Sequence, residues 1–237
     1  MNERSAKGSA AVAAFAGFLA LASAMGVGRF VYTPILPFMM EGAGLTPTQM
    51  GSIASANFLG YFAGAILATL PFARAARPSV IVAMLAISAA TGAGMAYASG
   101  MIAFAALRFV SGVASAFVFV GASAAVVQAL ARRGRLGLSS LLYAGVGGGI
   151  AASALMVAFV VSRGGDWRAQ WLFTAGASAL ACVVVALSLP RDAAALGGGG
   201  APSDGRPVWP LVAAYGLWGF GYVVTGTFLV ALVRESG

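Results

Sequence analysis

Residues 101–131, MIAFAALRFVSGVASAFVFVGASAAVVQALA, hold one charged side chain, Arg108. The run outlasts the about 20 apolar residues that carry a helix across a bilayer, and it is apolar on every side, as suits a helix solvated by lipid or by other helices. The rest of the chain agrees with this stretch. Of its 237 residues 60% are hydrophobic and 8% charged, with a mean hydropathy of +0.93; a soluble globule would carry roughly a quarter charged residues. A water-soluble fold is therefore excluded. Outward from 101–131, similar runs fall at 10–40, 48–71 and 79–98 before it and at 136–162, 168–189 and 208–233 after it. Backbone left unpaired in hydrocarbon is too costly for open segments to span, so the fold class is all-α, a polytopic helical membrane protein.

The charge of +8, from 14 Lys and Arg against 6 Asp and Glu, reads as membrane orientation. With a cytoplasmic N-terminus the inner segments hold Arg4, Lys7, Arg74, Arg77, Arg132, Arg133, Arg135, Arg191 and Arg206, and the outer ones only Arg163, Arg168 and Arg234. Nine against three predicts a multi-pass protein of the cytoplasmic (inner) membrane with its N-terminus inside. Arg4, Lys7 and Ala22-Ser23-Ala24 together imitate a signal peptide, but the apolar run continues well past Ala24, so the first helix is expected to be retained. The basic segments 74–77 and 132–135 are short and lack interleaved aromatics, which argues against nucleic acid as a partner. Histidine is absent and Cys182 is the one cysteine, which excludes a disulfide framework, the common zinc-ligand sets and Ser-His or Cys-His nucleophiles. Neither a metal nor a cofactor is expected, nor enzyme activity.

Residues 26–31, GVGRFV, read against residues 219–224, GFGYVV, at an offset of 193. Between them lie six spans and the segment 190–207, whose Gly197-Gly198-Gly199-Gly200, Pro202 and Ser203 are linker composition. The expected organisation is a six-helix bundle at 1–189, a cytoplasmic linker at 190–207 and, at 208–237, a seventh span that restarts the first. On this reading five further spans of a second half lie beyond Gly237, and the chain is a truncated product or part of a longer one.

Three stretches resemble the major facilitator superfamily of secondary transporters. In the fourth span Leu107-Arg108-Phe109-Val110-Ser111-Gly112 is similar to the family's Arg-x-x-x-Gly motif. Before the sixth, Trp167-Arg168-Ala169-Gln170-Trp171-Leu172-Phe173 is similar to its recurrent Trp-Arg-x-x-Phe, with one extra residue. In the fifth, Gly145-Val146-Gly147-Gly148-Gly149 resembles the glycine-rich packing motif, with Ile150 where many exporters carry proline. More narrowly, Gly26-Val27-Gly28-Arg29-Phe30-Val31-Tyr32-Thr33-Pro34-Ile35-Leu36-Pro37-Phe38-Met39 resembles the signature of the YbfB/YjiJ-type branch. The resemblance implies six plus six helices around a central cavity and transport by alternating access. The segment Leu70-Pro71-Phe72-Ala73-Arg74-Ala75-Ala76-Arg77 lacks the acidic member of the superfamily's usual loop motif, so the charge relay of that loop is not carried over.

Arg29 and Arg108 stand out on physical grounds alone. A cation inside a span costs about 3 kcal/mol on insertion scales, so it faces a partner or a wet cavity. Counted from the outer helix ends they lie about 16 and 10 Å deep, near enough in depth to meet across one cavity. Two readings stand: solute contact, or scaffolding in which the guanidinium satisfies helix carbonyls, for which Pro34 and Pro37 free acceptors. No Asp or Glu falls within the six predicted spans. The counter-ion is then an anionic solute or a carboxylate of the absent half. Tyr32, Thr33, Asn57, Tyr61 and Tyr143 are further solute-binding candidates, each with an interhelical hydrogen bond as the plainer role. Gly26, Gly28, Gly112, Gly145 and Gly149 are expected to bring backbones together, Pro34 and Pro37 to let the first helix bend, and Trp167 and Arg168 to seat the sixth. The predicted function is secondary active transport of a small organic solute, an anion by preference, with or without a coupling ion. The alternative is a truncated, non-transporting membrane protein that acts as a binding or assembly partner.

Overall fold

The computed structural model describes residues 3–189 and, beyond them, positions 209, 210, 213, 214, 216 and 217. The expected linker and nearly all of the expected seventh span lie outside the described residues. Among the described residues every regular element is helical, and six helices are long and apolar enough to cross a membrane: α1 Ser9–Ala43, α2 Pro47–Thr69, α3 Pro78–Tyr97, α4 Met101–Arg132, α5 Leu136–Ser162 and α6 Trp167–Ser188. Each agrees with its predicted span to within three residues at either end.

Local chemistry sets the ends. Gly44 takes a left-handed conformation, φ 65°, that stops α1. Thr46 and Gln49 form a capping box, with Thr46 N–H donating to Gln49 Oε1 at 2.9 Å, and Pro47 fills the first turn of α2, where no N–H is needed. Pro78 begins α3 in the same way. Asp166 caps α6 by accepting from the Ala169 N–H at 2.8 Å.

The first span departs from the regular helix expected of it. Its middle, Ala22–Phe30, is a π-helix, between α-helical Glu3–Leu21 and Tyr32–Ala43. Widening the turn shifts the backbone bonding from i+4 to i+5, and such segments mark functional sites more often than plain helix does.

α1 and α4 form the middle of the bundle: 67% and 56% of their hydrophobic stretches are buried, against 28% for α2 and α5. Two seams lacking side chains hold them to those neighbours. On one, Gly145 lies against the Phe18 backbone, Gly149 against Ala22, and Gly26 against Gly149, joining α1 to α5. On the other, Gly60 meets the Phe109 carbonyl and Gly112 meets the Asn57 carbonyl, joining α2 to α4. Close backbone approach of this kind replaces hydrophobic drive between helices in lipid. Two apolar clusters fill the bundle, one around Leu21, Leu85, Val126 and Leu142, the other around Ile35, Met39, Phe104 and Trp171.

Candidate functional site

The site begins with the wide turn of α1. Pro34 has no N–H to offer the Arg29 carbonyl five residues back in the π-helical pattern, and the carbonyls of Gly28 and Arg29 both accept from another helix. Arg108 of α4 supplies the donors. Its Nη1 donates to the Gly28 carbonyl at 2.8 Å and its Nη2 to the Arg29 carbonyl at 2.6 Å. Ser111, one turn on, donates to the Gly28 carbonyl at 2.8 Å. Asn57 of α2 completes the junction, its Nδ2 donating to the Arg108 carbonyl at 2.8 Å.

Arg108 is 2% exposed, and the faces of Tyr32 and Trp171 flank it with its guanidinium carbon 5.2 and 5.8 Å from their ring centroids. The energetics suit a cation kept in hydrocarbon. A hydrogen bond involving a charged group contributes about 1.5–3 kcal/mol, so two of them offset an insertion cost of about 3 kcal/mol. The Arg108 Nε is buried without a hydrogen-bond partner, one donor still unspent.

Arg29 is placed differently. Partly buried, its guanidinium carbon lies 4.0 Å from the Tyr61 ring centroid, 4.9 Å from that of Phe58 and 5.3 Å from that of Phe30. Such packing holds a planar cation against aromatic faces. The two arginines join through the chain itself, since Arg108 holds the carbonyl of Arg29.

The structure thus gathers Arg29, Tyr32, Asn57, Tyr61 and Arg108 at one junction of α1, α2 and α4. Tyr32 spends its hydroxyl on the Met50 carbonyl at 3.0 Å. Thr33 lies on the exposed face of α1. Tyr143 is 46% exposed and packs on Phe119, 6.3 Å between ring centroids; Phe119 is eleven residues along α4 from Arg108, about 16 Å of helix. Trp167 packs edge-to-face on Phe104 at 6.0 Å, and Arg168 donates to the Ala96 carbonyl at 2.8 Å, tying the start of α6 to the end of α3. Pro37 sits inside the C-terminal α-helical part of α1. The sequence reading missed Phe58, Ser111 and Trp171. Spacing could have found two of them, since Ser111 is three residues from Arg108 and Phe58 three from Tyr61, neighbours on a helix face. Among the described residues no group of acidic, histidine or cysteine side chains gathers that could hold a metal.

The family model described as "uncharacterised MFS-type transporter YbfB" matches residues 21–237, which include every residue of this junction. No curated protein matches the chain.

Proposed function

The chain belongs to the YbfB family of major-facilitator-type transporters, and from that premise we propose that it carries a small organic anion across the cytoplasmic membrane by alternating access, with Arg29 as the contact to the solute. Transport is the family's work; the solute class rests on one observation, the positive charge gathered at the junction, where the Arg29 guanidinium lies over Tyr61 and Phe58 and Arg108 holds the Arg29 carbonyl. The sequence has no Asp or Glu between Glu41 and Asp166, so the charge offered at this depth is positive. A carboxylate or phosphate accepting bidentate bonds from a guanidinium suits that field. Arg108 acts through the backbone: it fixes the turn that aims Arg29 and adds positive potential behind it. The Gly26–Gly149 and Gly145–Phe18 contacts give α1 a smooth track along α5, on which small displacements cost no side-chain repacking.

Counterflow in proteoliposomes tests the proposal. Vesicles preloaded with single members of a panel of small carboxylates, phosphates, amines and sugars are scored for uptake of the labelled compound. Saturable exchange confined to anions, and lost in Arg29→Gln, is expected. Exchange of amines or neutral solutes undisturbed by Arg29→Gln overturns it.

A further inference from the structure

Beside the π-helical turn, a cavity of about 10 Å³ opens between α1, α3 and α6. Gly28, Ser88, Trp171, Thr174 and Ser178 line it, and no residue of α4 does. The same Gly28 whose carbonyl is held by Arg108 thus has this space beside it, and its missing Cβ gives the Ser88 hydroxyl room against the backbone.

Ser88 is 3% exposed, and its hydroxyl oxygen is buried with no hydrogen-bond partner. An unsatisfied hydroxyl costs about 1–3 kcal/mol, a cost an alanine would avoid at once. Thr174, 1% exposed, donates its hydroxyl hydrogen to the Gln170 carbonyl at 2.8 Å, which leaves the Oγ1 lone pairs free to accept. A donor lacking an acceptor and an acceptor with spare capacity therefore face one small space.

Size and charge select the ligand. A single water needs about 10–15 Å³ of such space, so the cavity holds one and nothing larger. A metal cation fits poorly, because the guanidinium of Arg108 is bound to the Gly28 carbonyl beside it and no carboxylate lies between Glu41 and Asp166 to offset that charge. The larger groove between α1, α5 and α6, about 370 Å³, is lined by Phe18, Leu19, Met156, Leu180 and mostly small apolar residues; apolar space of this kind stays free of ordered water.

We propose that the α1–α3–α6 cavity binds one ordered water, which accepts from the Ser88 hydroxyl and donates to Thr174 Oγ1. The water ties α3 to α6 behind the wide turn of α1. That turn is held by Arg108 and Ser111 and packs against a water-bridged pair, so α3 and α6 can shift against each other beside it by exchanging water bonds. The inference does not depend on the nature of the solute.

Radiolytic hydroxyl labelling of the protein in lipid nanodiscs, read by mass spectrometry, tests it, because water bound beside a side chain labels that side chain. Trp171 is expected to be labelled roughly threefold more in the wild type than in Thr174→Val or Ser88→Ala, each of which removes one partner of the water. Phe104, buried outside the cavity, should be labelled equally in all three and so shows that the variants are folded. Equal Trp171 labelling in the three proteins overturns the proposal. Should both variants loosen, a density map of the wild type decides: a peak between Ser88 Oγ and Thr174 Oγ1 supports the water, and a blank there in a map that shows other buried waters refutes it.

Discussion

Two arginines 79 residues apart in sequence are held in different ways at one junction. Arg108 is a fastener: both terminal nitrogens are spent on carbonyls of α1. Arg108→Gln takes its donor from the Arg29 carbonyl, worth about 1–3 kcal/mol, and leaves the Gly28 carbonyl with Ser111 alone, so the expected result is a lower thermal unfolding midpoint together with lost transport. Arg108→Lys keeps the charge but lacks the planar fork whose two nitrogens each meet one carbonyl, and should recover only part of the stability. Arg29 is a contact. Arg29→Gln should leave folded yield near wild type while transport fails. Arg29→Lys keeps the charge and forfeits planar stacking on Tyr61, a loss of about 0.5–2 kcal/mol that raises KM roughly tenfold with kcat less affected. Fluorescence-detected size exclusion and counterflow measure the two properties separately. The sequence marked both arginines, because a charge amid apolar residues is visible in one dimension. It left open which was fastener and which contact, since that depends on which neighbouring helix each side chain meets.

Helix boundaries were legible because their causes are local: Pro47 and Pro78 in first turns, Thr46 with Gln49, Asp166, Gly44. The π-helical turn of α1 was not. Composition and periodicity report which residues are apolar, and a shift of backbone bonding from i+4 to i+5 leaves both unchanged; Gly26, Gly28 and Pro34 are its only trace. Glycine spacing carried the seams only in part, because a glycine at a crossing and one facing open space look alike in sequence. The structure separates them, and a paired test follows. A side chain at Gly60 would strike the Phe109 backbone, whereas Gly147 has nothing within 4 Å of a built Cβ. Gly60→Val is expected to cost several kcal/mol by forcing α2 from α4. Gly147→Ala should be neutral or stabilising by about 0.5–1 kcal/mol, since it removes backbone freedom from a helix interior. Folded yield and thermal unfolding in detergent check both.

At the scale of the whole molecule, the six long apolar helices among the described residues, with α1 and α4 the most buried, belong to a transporter-family chain whose polar junction is centred on the buried Arg108. The charge bias between its two sides predicts topology. In a Cys182→Ala background, a cysteine at Ser99 should react with an impermeant maleimide added to intact cells, and one at Arg77 only after the membrane is opened; the reverse pattern inverts the orientation. The central claim is that the junction binds an anion through Arg29, and a ligand-dependent thermal shift tests it most directly. Purified wild type and Arg29→Gln are unfolded in the presence of the same panel of small organic anions, amines and neutral solutes. The account predicts that at least one anion raises the wild-type midpoint, that the shift grows with concentration as binding to the folded state requires, and that it vanishes in Arg29→Gln. A stabilising amine or sugar with no stabilising anion, or an anion that stabilises both proteins alike, contradicts it.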